Sequence, residues 1–184
     1  SNSNTRTIAF GTGQISCTGT GTVWTTATIT GLTTTGTQVV NVTSAGSTAI
    51  TVSTGALSEA NSISYNFTGG TYALTFLDVT NYSARSVNFT GYAGTLAELS
   101  DPAAAPVIIY GDLTLSAGMT LTASTTGNGL SFRKTSGTSN ITTNGKTIPF
   151  ILTFNGVGGT FQLQDALTTS GATSDINLNN GTLN

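Results

Sequence analysis

Five aromatic side chains, Phe67, Phe89, Tyr110, Phe132 and Phe154, follow one another at separations of 22, 21, 22 and 22 residues, and one further step of 22 lands on Ile176. Three of the surrounding segments agree: Tyr65-Asn66-Phe67-Thr68-Gly69, Val87-Asn88-Phe89-Thr90-Gly91 and Leu152-Thr153-Phe154-Asn155-Gly156. A second series places Gly-Thr before an apolar residue, at Gly70-Thr71-Tyr72, Gly94-Thr95-Leu96, Gly159-Thr160-Phe161 and Gly181-Thr182-Leu183. Where it lapses, Met119 and Ile141 still stand 22 apart. Self-similarity at a fixed period of 20–50 residues is the mark of stacked repeats.

The local pattern says what is stacked. Thr (40), Gly (23), Ser (19) and Asn (15) make up over half of the 184 residues. Thr loses χ1 freedom in a helix and packs well on a pleated surface. Short alternations such as Ala49-Ile50-Thr51-Val52-Ser53, Tyr72-Ala73-Leu74-Thr75-Phe76 and Phe161-Gln162-Leu163-Gln164 lie between Gly, Asn and Ser, the signature of strands and turns. The chain reads as all-β. Short strands at a period near 22 predict a parallel β-solenoid, or β-helix, with coils of about 22 residues. Coils ~4.8 Å apart would set Phe67, Phe89, Tyr110, Phe132, Phe154 and Ile176 into one interior column. A narrow core and a large hydrogen-bonded surface suit a chain only 37% hydrophobic.

Residues 65–184 then form a solenoid of about six coils. Residues 1–64 keep short apolar runs (Ile8, Phe10, Ile15, Trp24, Val40, Val42, Ile50, Val52) without settling to 22, and read as an irregular β N-terminal cap or attachment segment. Exposed solenoid ends need cover. The stop at Leu183-Asn184 within a coil therefore points to truncation or to a partner on that face.

Composition removes several functions. Only 7% of residues are charged and the net charge is −2, so no basic surface is expected to follow a phosphate backbone. His is absent, which withdraws the usual participant in zinc and triad chemistry. No catalytic residue, metal site or cofactor is expected. No segment reaches the ~18–20 apolar residues of a membrane span, and the polar start shows no signal pattern. The single cysteine, Cys17, forbids an internal disulfide and reads as a half-buried strand residue.

From Val39 onward the sequence resembles the Thr/Gly/Asn-rich β-solenoid repeat proteins of bacteriophage virions and environmental bacteria. The segments that carry this are Val40-Asn41-Val42-Thr43-Ser44-Ala45-Gly46, Asn144-Gly145-Lys146-Thr147, Thr153-Phe154-Asn155-Gly156, Gly158-Gly159-Thr160-Phe161-Gln162-Leu163-Gln164-Asp165-Ala166-Leu167 and Leu178-Asn179-Asn180-Gly181-Thr182-Leu183. The resemblance implies a non-enzymatic structural or surface-display part, foremost a virion component such as a fibre or capsid decoration protein. It would sit on a virion or extracellular surface and partner itself, as a homo-oligomer, or another virion or envelope protein. A bacterial adhesin stalk that binds glycans is the alternative. A polysaccharide-degrading tailspike-type enzyme and an ice-binding protein stand behind it.

Each chemical motif has a plainer reading beside it. Asp78 and Asp165 share an offset but lie four coils apart, roughly 19 Å, too far for glycosidase carboxylates. Asp78, Glu98 and Asp101 fall in adjacent coils, and more simply mark a solvated turn before Pro102. Gly145-Lys146-Thr147 lacks the upstream Gly of a phosphate loop, since Asn140 stands there, and reads as an Asn-Gly turn. Six Asn-x-Ser/Thr sequons (Asn41, Asn66, Asn81, Asn88, Asn140, Asn180) are close to what the Ser/Thr content gives by chance. Thr-x-Thr runs such as Thr26-Thr28-Thr30 and Thr120-Thr122 do not recur at 22-residue steps, as a regular hydroxyl array requires. Trp24 and the tyrosines Tyr65, Tyr72 and Tyr110 are expected in the core or half-buried. Tyr82 and Tyr92 fall outside the apolar series and are the expected exposed pair for sugar stacking.

Overall fold

The computed structural model describes residues 5–26, 29, 31–55, 57–76, 83–96, 106–122, 129–171 and 174–184. Among these there is no helix, and twenty short strands follow the chain. They come up to three to a turn. The first turn holds β1 (Arg6–Ala9), β2 (Ile15–Cys17) and β3 (Gly21–Thr25), the second β4 (Leu32–Thr35), β5 (Val39–Val42) and β6 (Ile50–Ser53). β7 (Ser64–Phe67) and β8 (Ala73–Phe76) belong to the third, and β9 (Ser83–Ala84), β10 (Val87–Asn88) and β11 (Thr95–Leu96) to the fourth. Then come β12 (Val107–Ile109), β13 (Leu113–Thr114) and β14 (Thr120–Leu121), followed by β15 (Gly129–Phe132), β16 (Gly137–Thr142) and β17 (Thr147–Ile148). β18 (Ile151–Leu163) runs through two strand places of its turn, β19 (Thr168–Thr169) takes the third, and β20 (Ile176–Leu183) lies over β18.

Every strand pairing among the described residues is parallel. The protein is a parallel β-solenoid with coils of roughly 24 residues. Its second strand place is one ladder, β2-β5-β7-β10-β13-β16-β18. From β7 to β20 it climbs six levels. It also runs on from β5 to β7 without a break, so strands before β7 pair in parallel with those after it.

Coil length varies. Along the second place the inward residues Ile15, Val40, Tyr65, Val87, Leu113, Ile141 and Leu163 face one another at steps of 25, 25, 22, 26, 28 and 22. The 29-residue step from Gly21 to Ile50 and the bulge between Thr22 and Trp24 continue this irregularity in the third place. Strands hold their places while the turns between them change length. That is why the sequence before β7 shows no fixed period.

The expected single aromatic column is replaced by two. Phe67 and Phe89 stack at 4.9 Å with their planes 12° apart, in the second place. Phe132 and Phe154 stack at 5.2 Å and 12°, but in the first place, through β15 and β18. The column of Phe132 runs Ala84, Ile109, Phe132, Phe154, Leu178. Ile109 therefore fills the position expected of Tyr110. Adjacent strand residues point to opposite faces, so a one-residue displacement turns Tyr110 outward, where it is half-buried. Ile176 is likewise two residues off: it stands over Leu152 while Leu178 stands over Phe154. In the last strand neither is covered, and they are 45% and 53% exposed.

Tyr92, expected at the surface, is fully buried. Its ring packs 5.0 Å from Tyr72 and 5.7 Å from Phe89. The hydroxyl lies 2.6 Å from the Tyr72 carbonyl oxygen and 2.9 Å from that of Thr95, so the buried phenol donates to backbone. Gly94 makes this possible, because a Cβ there would overlap the Tyr72 carbonyl oxygen and the Tyr92 ring. Phe161 caps the other column in the same way, 5.2 Å from Phe154. Between the two clusters the core is aliphatic apart from Phe89 and Phe150 at its margins, and leaves a partly open apolar pocket of about 20 Å³ lined by residues that include Val87, Val107, Leu113 and Leu130. Its lining offers no polar partner for water.

Candidate functional site

The outer surface differs from one strand place to the next. Several outward positions of the second place carry amides. Asn66 Nδ2 donates to Asn41 Oδ1 at 2.9 Å, and Asn41 Nδ2 to Gln14 Oε1 at 2.5 Å. Higher up, Gln164 Nε2 donates to Asn140 Oδ1 at 2.9 Å. Outward positions of the third place carry hydroxyls: Thr22, Thr51 and Thr75 face one another, as do Thr95 and Thr120, and Thr147 and Thr168. These threonines align because the steps between them vary, which a search at one constant period passes over.

The concentrated charge lies elsewhere, at the turn from the first to the second place. Ala84, Ile109 and Phe132 face one another in successive coils, so the residues after them, Arg85, Tyr110 and Arg133, follow at the same height steps. Their amides continue the ladder: Arg85 N donates to Ile63 O at 2.9 Å, Tyr110 N to Ala84 O at 3.0 Å and Arg133 N to Ile109 O at 2.9 Å. The next two levels bring Asn155 and Asn180, joined by a 2.6 Å bond from Asn180 Nδ2 to Asn155 Oδ1. Arg85 Nη2 donates to Ala60 O at 2.8 Å, and Arg133 Nε to Ser131 Oγ at 3.0 Å. Glu59 Oε2 accepts from the Thr135 amide at 3.2 Å and its hydroxyl at 2.6 Å, while Oε1 lies 4.0 Å from Lys134 Nζ. Burial raises the Tyr110 phenol above its ordinary pKa; the positive charge of Arg133 opposes this and the negative charge of Glu59 adds to it. Arg85, Arg133 and Lys134 are three of the five Lys and Arg residues in the chain. Less the charges of Glu59 and of Asp112, which stands two residues after Tyr110 in the same turn, the turn carries +1 in a molecule of net −2. The arrangement offers guanidinium forks, one aromatic face and amides in a line along the solenoid.

The other sequence candidates fall apart from this turn. Asp78, Tyr82, Glu98 and Asp101 lie outside the described residues. Asp165 ties two coils together: Oδ1 accepts from Thr143 N at 2.8 Å and Thr143 Oγ1 at 3.0 Å, and Oδ2 from Asn144 N at 2.5 Å. Desolvation raises its pKa, but these bonds and one from the Gly145 amide outweigh it and hold the carboxyl below the ordinary value. Asp112, which belongs to the charged turn itself, does similar work, accepting from Asn140 N at 2.7 Å. Lys146 follows the Asn-Gly turn read from the sequence, with φ of 51° at Asn144 and 73° at Gly145. Cys17 is half-buried in β2, and burial raises its thiol pKa. Among the described residues no group of three His, Cys, Asp or Glu is placed to hold a metal, and no helix is long and apolar enough to cross a membrane. Sequence reasoning missed the charged turn because Arg85, Tyr110 and Arg133 follow one another at unequal steps, which only the strand pairing reveals.

No family model, no curated protein and no solved structure matches the chain.

Proposed function

We propose that this chain is a non-enzymatic structural and display module of a bacteriophage virion, a fibre or capsid decoration protein at the particle surface. One observation carries the reading: a continuous parallel ladder whose outward positions are mainly Thr, Ser, Asn and Gln, a stiff rod with little charge. Each coil covers its neighbours' apolar side chains, and the amide rows tie coil to coil from outside. Such a surface suits assembly with copies of itself or with another virion or envelope protein. The test is fractionation of phage lysates on density gradients, with antibody detection and immunogold labelling of particles. The protein is expected in the particle band; absence from every particle fraction overturns the proposal.

A second reading, a glycan-binding adhesin stalk, is favoured by a single feature. The polar surface is interrupted by the line of Arg85, Tyr110, Arg133 and Asn155. Among the described residues the tyrosine offered to solvent is Tyr110, in place of the Tyr92 expected from the sequence.

A further inference from the structure

We propose that the turn formed by Arg85, Tyr110, Arg133, Asn155 and Asn180 binds a linear acidic polysaccharide with a carboxylate on alternate sugars, lying parallel to the solenoid axis. The inference rests on the glycan-binding reading and names its site and ligand class.

Three features of the geometry select this ligand. The backbones are spaced by the coil repeat, ~4.8 Å per level, so the Cα positions of the two arginines stand two levels or roughly 10 Å apart with that of Tyr110 between them. A pyranose in an extended chain advances about as far as one such level. A charge on every second sugar therefore meets Arg85 and Arg133, while the intervening ring meets the tyrosine. A planar guanidinium recognises a carboxylate through paired N–H donors, and an aromatic face takes the apolar side of a sugar ring. Above Arg133, Asn155 and Asn180 continue the line with amides suited to hydroxyl groups. The net charge of the turn is complementary to a polyanion. Glu59 is held by Thr135 and faces Lys134, and Asp112 accepts from the Asn140 amide, so both carboxylates of the turn are engaged by protein groups. Each arginine spends a nitrogen on the protein itself, Nη2 of Arg85 on Ala60 and Nε of Arg133 on Ser131. Those bonds hold the side chains in place and lower the ordering cost on binding. A nucleic acid fits less well, because its charge density calls for more cations than the three gathered here.

The test is titration of the full chain, followed by NMR shift mapping and calorimetry, with a hyaluronan hexasaccharide, a polygalacturonate hexasaccharide, cellohexaose and polyglutamate. The hyaluronan hexasaccharide is expected to bind with shifts centred on Arg85, Tyr110, Arg133 and Asn155, and more tightly than polygalacturonate. Cellohexaose and polyglutamate are expected to fail. Arg133→Gln and Tyr110→Leu should abolish binding. Arg133→Lys, which keeps the charge and the fold, should weaken it by loss of the fork, and Lys146→Gln should change nothing. Absence of hyaluronan binding overturns the proposal, as does equal binding of polyglutamate or an unchanged affinity in Arg133→Gln and Arg133→Lys. Sugar-dependent shifts on another face overturn the site while sparing the adhesin reading.

Discussion

The cluster of Phe67, Phe89, Tyr72 and Tyr92 and the cluster of Phe132, Phe154 and Phe161 are built from the same motif placed differently. In the first, Asn66-Phe67-Thr68-Gly69 and Gly70-Thr71-Tyr72 lead from the second strand place to the third. In the second, Thr153-Phe154-Asn155-Gly156 and Gly159-Thr160-Phe161 lead from the first place to the second, inside the single strand β18. The aromatic-turn-aromatic unit has moved back by one strand place between the two halves. The column of Phe89 passes on to Leu115 and Thr143, both 1% exposed, and Phe132 lies well before Thr143 in the same coil. Where the change occurs, the steps from Val87 to Leu113 and from Leu113 to Ile141 lengthen, aliphatic side chains take over and the packing leaves its cavity. A motif therefore specifies a pair of stacked rings and the turn beside them, not a location around the axis.

The sharpest way to break this comparison is to ask whether the clusters are coupled. Phe67→Ala, Phe89→Ala, Phe132→Ala and Phe154→Ala should each lower the stability read by chemical denaturation by about 3–5 kcal/mol. Phe67→Ala with Phe89→Ala should be markedly non-additive, whereas Phe89→Ala with Phe132→Ala should add. Coupling across the second pair as large as within the first would restore the single column. Next in size, Gly94→Ala should cost about 1–3 kcal/mol by overpacking Tyr72 and Tyr92. Its effect on hydrogen exchange should be confined to the first cluster.

Alkali should separate the clusters further, since only the first contains tyrosine. Burial pushes the Tyr72 phenol up to about 12, and burial, with Tyr72 beside it, raises that of Tyr92. A phenol with a raised folded pKa contributes stability that is complete below its ordinary value near 10 and lost as the pH climbs through the folded value. The thermal midpoint should hold steady up to about pH 10 and fall toward pH 12. Tyr72→Phe should flatten that fall, and exchange protection around Phe132 and Phe154 should outlast that around Phe67. The smallest effect belongs to the region between. Val107→Ile fills part of the void, and by the ~0.8 kcal/mol of one buried methylene should leave the denaturation midpoint level or slightly higher. A loss of more than that would show the void to be narrower than its lining indicates.

Much of this was legible in the residues, and the remainder failed for one reason. Thr and Gly content with short alternation marked the strands, and the repeat marked parallel coils. Phe67, Phe89, Phe132 and Phe154 are all in the core, as their spacing indicated. The period itself misled, because 22 is the length of coils in two separate stretches, Tyr65 to Val87 and Leu130 to Leu152. Extending it across the lengthened coils put Tyr110 into a slot that Ile109 fills. Tyr92 was misplaced because its burial depends on Gly94 and on two carbonyl oxygens brought from neighbouring segments, which no spacing records. Arg85 and Arg133 offered no motif at all, being joined only through the pairing of the strands before them.

The void beside Val107 and Leu113 bears on how a shaft of this kind would behave under load. In the two clusters rings interlock, and a pull along the axis is shared among stiff cross-sections. At that level there is empty volume, lined mostly by branched aliphatic side chains with Phe89 and Phe150 at its edge. Strain would gather there, so the midsection is where the protein should first bend when stretched by optical tweezers, acting as a compliant joint between two rigid segments.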